Sequence, residues 1–155
     1  MALFSTTINA PRVFLGGLLA GAIINVCDIA VSATANVEPW QGVLRLESAS
    51  GVTSLPLARA AASLVAGVVV VWLYAALRST IGRGPGAGVV SALVAWLLTQ
   101  LYAVAATVST QPSWRAFGTM TAGLLAGYII GGVAGARVYD RTSHSGRKSI
   151  MGRRR

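Results

Sequence analysis

This sequence is poor in charge, and poorest in acid. Asp28, Glu38, Glu47 and Asp140 are its only carboxylates beside 13 basic residues, and charged residues make up 11% of the 155. A water-exposed surface is dressed by roughly a quarter charged residues, so a soluble globule is a poor description of this chain. The single histidine, His144, stands near the C-terminus, outside every long apolar run. Those runs therefore offer no imidazole to haem or zinc, and no Ser-His-Asp or Cys-His set can assemble within them. The single cysteine, Cys27, rules out an intrachain disulfide or a thiolate cluster and reads as a small apolar residue. The only lysine is Lys148, and the glycines from Gly82 to Gly88 lack the Gly-Lys-Ser/Thr of a phosphate cradle. The expectation is a protein without cofactor, metal or enzymatic chemistry.

Apolar residues, at 54%, are what the chain has in excess. Crossing ~30 Å of hydrocarbon at ~1.5 Å per residue takes about 20 of them in a row. Four stretches qualify: residues 12–35 after Pro11, 56–79 with Ser54 and Pro56 suited to a helix start, 86–109 after the breaker Gly82-Arg83-Gly84-Pro85-Gly86, and 113–138 after Pro112. Val68-Val69-Val70-Val71 has strand character alone, but a lone strand in lipid leaves its backbone polar groups unpaired. The fold class expected is all-α: an integral membrane four-helix bundle of residues 1–141, up-down-up-down, with residues 142–155 as a basic, flexible tail.

Basic residues orient the bundle. Arg12, Arg78, Arg83, Arg137, Arg141, Arg147, Lys148, Arg153, Arg154 and Arg155 flank one side; Arg45, Arg59 and Arg115 flank the other. Both termini are thus expected in the cytoplasm. Arginine in place of lysine, with abundant alanine and glycine, accompanies GC-rich bacterial genomes, so the expected location is the bacterial inner membrane. A rival reading takes Arg12, the run Val13–Ile24 and Ser32-Ala33-Thr34-Ala35 as a cleaved signal peptide. The longer apolar run and Asp28 before the cleavage site speak against it.

The outer connection, 36–55, mixes Trp40, Val43, Leu44 and Leu46 with Glu38, Gln41, Arg45 and Glu47. It fits either an interfacial helix over 39–48 or a loop capping the bundle. The tail carries Arg147, Lys148, Arg153, Arg154 and Arg155. Each basic residue near anionic lipid adds roughly 1 kcal/mol of attraction, so lipid headgroups are the expected partner and nucleic acid the less economical one.

Without a hydrophobic drive between helices in lipid, small residues at spacing four let backbones approach. Thr119, Gly123, Gly127, Gly131 and Gly135 form such a strip; Gly17 and Gly21, continued by Asn25, form a shorter one. The strip fits packing of the fourth helix on the first, or self-association with a second copy or a larger membrane complex. Gly17-Leu18-Leu19-Ala20-Gly21 recurs as Gly123-Leu124-Leu125-Ala126-Gly127, each followed by one residue and Ile-Ile. That is either a trace of an inverted repeat or convergence in a small alphabet.

Asp28 is the acid deepest in a span, and ionisable groups there are functional candidates by default. With Gly21, Asn25 and Ser32 it makes a polar stripe on one helix face. Two readings stand: an ion relay or polar substrate contact extended by Gln100, or a structural ion pair with Arg59. Trp72, Tyr74, Trp96, Trp114, Tyr128 and Tyr139 include candidate interface anchors, with Trp114 and Tyr139 at opposite ends of the fourth helix.

Gly16-Gly17-Leu18-Leu19-Ala20-Gly21 followed by Asn25, then Val71-Trp72-Leu73-Tyr74-Ala75-Ala76-Leu77-Arg78, Gly82-Arg83-Gly84-Pro85-Gly86 and Ala95-Trp96, resemble a group of small uncharacterised bacterial inner-membrane proteins. The resemblance covers roughly the first hundred residues. Asp28 agrees with the acid that group carries there, whereas Ser79 departs from its proline after the arginine. The resemblance implies a four-helix membrane protein and brings no activity with it.

Overall fold

In a computed structural model the protein is described over residues 8–34, 55–110 and 114–151, and these form four helices. They are α1 (Ala10–Thr34), α2 (Leu55–Leu77), α3 (Pro85–Thr110) and α4 (Trp114–Met151). The connection 36–55, with its expected interfacial helix, lies outside the described residues except for Leu55, the first residue of α2.

The helix ends follow local chemistry. Asn9 caps α1: its Oδ1 accepts from the Arg12 N–H at 3.3 Å. Beyond α2 the Thr80 and Ile81 N–H groups turn back onto the Leu77 carbonyl, each at 2.9 Å. Gly82 and Gly84 then take φ of 100° and 138°, left-handed backbone that glycine adopts without steric cost. Pro85 opens α3, where no N–H is needed. The Val68–Val71 run lies inside α2, with Val70 and Val71 fully buried.

α4 corrects the expected boundary. Its helix continues past Val138 to Met151, so the tail expected from residue 142 is helical as far as Met151. No proline follows Pro112, and Gly146 is the only glycine between Gly135 and Gly152; loss of apolar character does not by itself stop a helix.

Packing is inverted relative to a protein in water. The core is built largely from Ala20, Ala75, Ala87, Ala92, Ala95 and Ala136 with Val13, Ile24, Val70, Val71 and three tyrosines. Large apolar side chains face outward: Phe14, Leu15, Val26, Ile29, Leu57, Val65, Trp72, Leu98, Leu101 and Ile130 are all more than half exposed. So extensive an apolar exterior marks a surface for a membrane or for protein partners. Three helices have the length and composition to cross a membrane, over Ala10–Ala33, Leu57–Leu77 and Phe117–Arg141. Among the described residues of α3, Pro85–Leu101 is an apolar stretch.

Candidate functional site

Glycine contacts set the register that positions every polar group. A Cβ added to Gly16 would stand 2.8 Å from the Gly135 carbonyl oxygen, one on Gly131 2.8 Å from that of Ala20, and one on Gly127 2.8 Å from Cys27 Cβ. Gly123 faces Val31 in the same way. Residue numbers rise on α1 as they fall on α4, so this pair runs in opposite directions with its backbones nearly touching. The α4 strip is therefore covered within the bundle. Gly17 and Gly21 do not meet it. A Cβ on either would lie 2.5 Å from a backbone atom of α2, at Val68 and Leu64 respectively, and Gly67 fits between them. α1 thus presents two small-residue faces, Gly16 with Ala20 toward α4 and Gly17 with Gly21 toward α2. The glycines that sequence reasoning missed are Gly16, Gly67 and Gly132, the last packed against Ala92 and Gly88 of α3; their signal, one place from a marked strip for Gly16 and Gly132 and lone in a valine run for Gly67, was present but weak.

The α1–α2 register brings Asp28 opposite Arg59. Arg59 Nη2 donates to Asp28 Oδ2 at 2.8 Å and to Ser32 Oγ at 3.4 Å. Ser63 Oγ donates to the Arg59 carbonyl at 3.1 Å, one turn along α2. The Asp28 side chain is 18% exposed and that of Arg59 42%. The side chain of Asn25, half-buried on the same stripe, makes no hydrogen bond among the described residues. Gln100 does not join this group: Thr121 Oγ1 on α4 donates to Gln100 Oε1 at 3.4 Å.

A second cluster closes the opposite end of α2. Tyr74 Oη donates to Asp140 Oδ2 at 2.5 Å, and Arg78 Nη1 donates to Asp140 Oδ1 at 3.5 Å. The Arg78 guanidinium also stands 4.7 Å over the centre of the Tyr139 ring, a cation–π position. Tyr74 and Tyr139 meet edge to face, 6.1 Å apart at 81°. The Asn9 N–H reaches Tyr139 Oη at 3.5 Å, tying in the start of α1. Sequence reasoning missed this site. From sequence, Arg78 counts as a topology charge and both tyrosines are candidate anchors, while Asp140 stands only among the four carboxylates. Tyr74 and Tyr139 are in fact buried, 0% and 1% exposed, and Tyr128 is 4% exposed, so none of the three is a headgroup anchor. The Tyr74–Arg78 spacing of four was the available signal, since it puts a hydroxyl and a cation on one helix face.

Chemically, each described carboxylate is engaged by an arginine, and Asp140 also accepts from the Tyr74 hydroxyl. Among the described residues no three His, Cys, Asp or Glu side chains gather as a metal site. The side chains of Arg147 and Lys148, and all of Arg153, Arg154 and Arg155, lie outside the described residues. These features define a helical bundle with membrane-length apolar helices and an ion pair toward each end. Comparison with known protein families, characterised proteins and solved structures finds no match to any of them.

Proposed function

We propose that this chain is a non-enzymatic integral membrane protein of the bacterial inner membrane, a structural or assembly component that self-associates or joins a larger membrane complex. In this reading all four helices cross, up-down-up-down, with both termini cytoplasmic, and the chain belongs with the small bacterial membrane proteins its first hundred residues resemble. The observation that carries the membrane reading is the packing: a core rich in alanine and glycine with a few valines, one isoleucine and three tyrosines, and many leucine, isoleucine, valine and phenylalanine side chains with Trp72 outside. The engagement of Asp28 by Arg59 and of Asp140 by Arg78 favours a structural over a catalytic role.

A polar transport path around Asp28 is the competing reading. It requires Asp28 and Gln100 to converge, and Gln100 instead pairs with Thr121. Since α1 covers the glycine strip, association must use the outward apolar faces. Purification in mild detergent with mass measurement and identification of co-eluting membrane proteins tests the proposal. The expected species is heavier than one 15.9 kDa chain; a lone monomer with no companion, together with ion flux from reconstituted vesicles, would overturn it.

A further inference from the structure

The inner end, as oriented above, holds an excess of cation that the bundle does not neutralise. Arg12, Arg78, Arg83, Arg137 and Arg141 lie there with one described carboxylate, Asp140, which Arg78 engages. Arg137 and Arg141 are both exposed and make no ion pair among the described residues. They sit one turn apart on α4, and their face is nearly opposite the one that Gly135 and Tyr139 turn inward. Following that face along α4 at helical spacing leads to Ala134, Ile130 and Ala126. Ile130 is 55% exposed, Ala126 exposed and Ala134 half-buried. The result is an uncovered apolar strip of low relief ending in two guanidinium groups at the expected depth of lipid headgroups.

The geometry points to a binding strip for one anionic phospholipid, its acyl chain along Ala126, Ile130 and Ala134 and its phosphate between Arg137 and Arg141. Guanidinium forks bind phosphate oxygens in pairs and give up hydration readily. The unpaired charge selects an anionic over a zwitterionic headgroup, and the adjoining apolar strip selects a lipid over free phosphate. This inference rests on the membrane reading proposed above.

Native mass spectrometry of the full chain released from detergent, with equal phosphatidylglycerol and phosphatidylcholine added, tests it. Wild type should retain phosphatidylglycerol in preference. Arg137→Gln with Arg141→Gln should lower that preference about thirtyfold, whereas the paired lysine substitutions should keep most of it and Arg115→Gln at the other end all of it. Millimolar inorganic phosphate should not displace the lipid. Equal retention by the glutamine pair, displacement by phosphate, or a second protein copy in place of the lipid would each overturn the inference. Carbonate extraction of membranes separates the two levels: a protein that washes off sinks the membrane reading itself, while one that stays embedded without lipid preference sinks only this strip.

Discussion

Arg59 and Arg78 stand at the two ends of α2, and each reaches across to the carboxylate of a different neighbour, Asp28 on α1 and Asp140 on α4. The interval from 59 to 78 corresponds to ~28 Å of helix rise, close to the ~30 Å of a hydrocarbon core. No charged residue lies between them. α2 is thereby fastened at both ends, and in the membrane setting proposed above both ion pairs would fall where water and headgroups are within reach.

Removing one partner of the Asp28–Arg59 pair should cost little stability. Exposure of Arg59 screens the pair, so Asp28→Asn and Arg59→Gln should each cost about 1 kcal/mol. The double variant should cost scarcely more than either alone. Thermal unfolding in detergent of the four proteins measures the cycle; strict additivity would mean that the two side chains act independently.

Tyr74→Phe should be the more damaging change. It leaves Asp140 without the 2.5 Å hydroxyl in a partly enclosed site, and hydrogen bonds to charged groups contribute about 1.5–3 kcal/mol. Its unfolding midpoint should fall below that of Asp28→Asn. A midpoint equal to wild type would show that the other partners of Asp140 satisfy it without the Tyr74 hydroxyl.

Glycine substitutions should divide sharply by position. At Gly131 an added side chain meets the Ala20 backbone carbonyl, which cannot move aside alone, so Gly131→Val should cost about 3 kcal/mol or more and disperse the folded bundle. Nothing lies within 4 Å of a Cβ on Gly118, and Gly118→Ala should be neutral or stabilising by about 0.5–1 kcal/mol. Unfolding of the two variants side by side checks the contrast; equal effects would contradict the packing of α4 on α1.

Tryptophan fluorescence should report which side chains meet lipid. Trp72 is 51% exposed on α2, whereas the Trp96 indole nitrogen is buried. In bilayers of brominated lipid, a variant retaining only Trp72 should be quenched strongly and one retaining only Trp96 much less. The reverse order would place the wrong face of the bundle against the membrane.

The helical class was legible because apolar runs of membrane length admit few other structures. The helix starts were nearly so, since Pro11, Pro56, Pro85 and Pro112 mark them. Asp28 stood out by its depth, and of its two readings the structure has the pair with Arg59. The Tyr74–Asp140–Arg78 cluster was not legible. Its members are 62 and 66 positions apart along the chain, and tyrosine and arginine at a helix end serve equally well as membrane anchors. Nor could spacing assign partners to the α1 glycines. Gly16 and Gly17 differ by one position, about 100° around the helix, and only the packed bundle decides which faces α4 and which α2. The run of α4 to Met151 escaped notice because hydropathy reports burial, and a helix can outlast its apolar face.

The central claim is that hydrocarbon lies between the two arginine pairs of α2, and side-specific labelling tests it most directly. In a Cys27→Ala background, Ala58→Cys and Thr80→Cys place single thiols at exposed positions at and just beyond the two ends of the helix. An impermeant maleimide applied to intact cells should label the cysteine at 58, and that at 80 only after the membrane is breached. Labelling of both positions from the same side would contradict a crossing by α2, and with it the bilayer setting on which every proposal here depends.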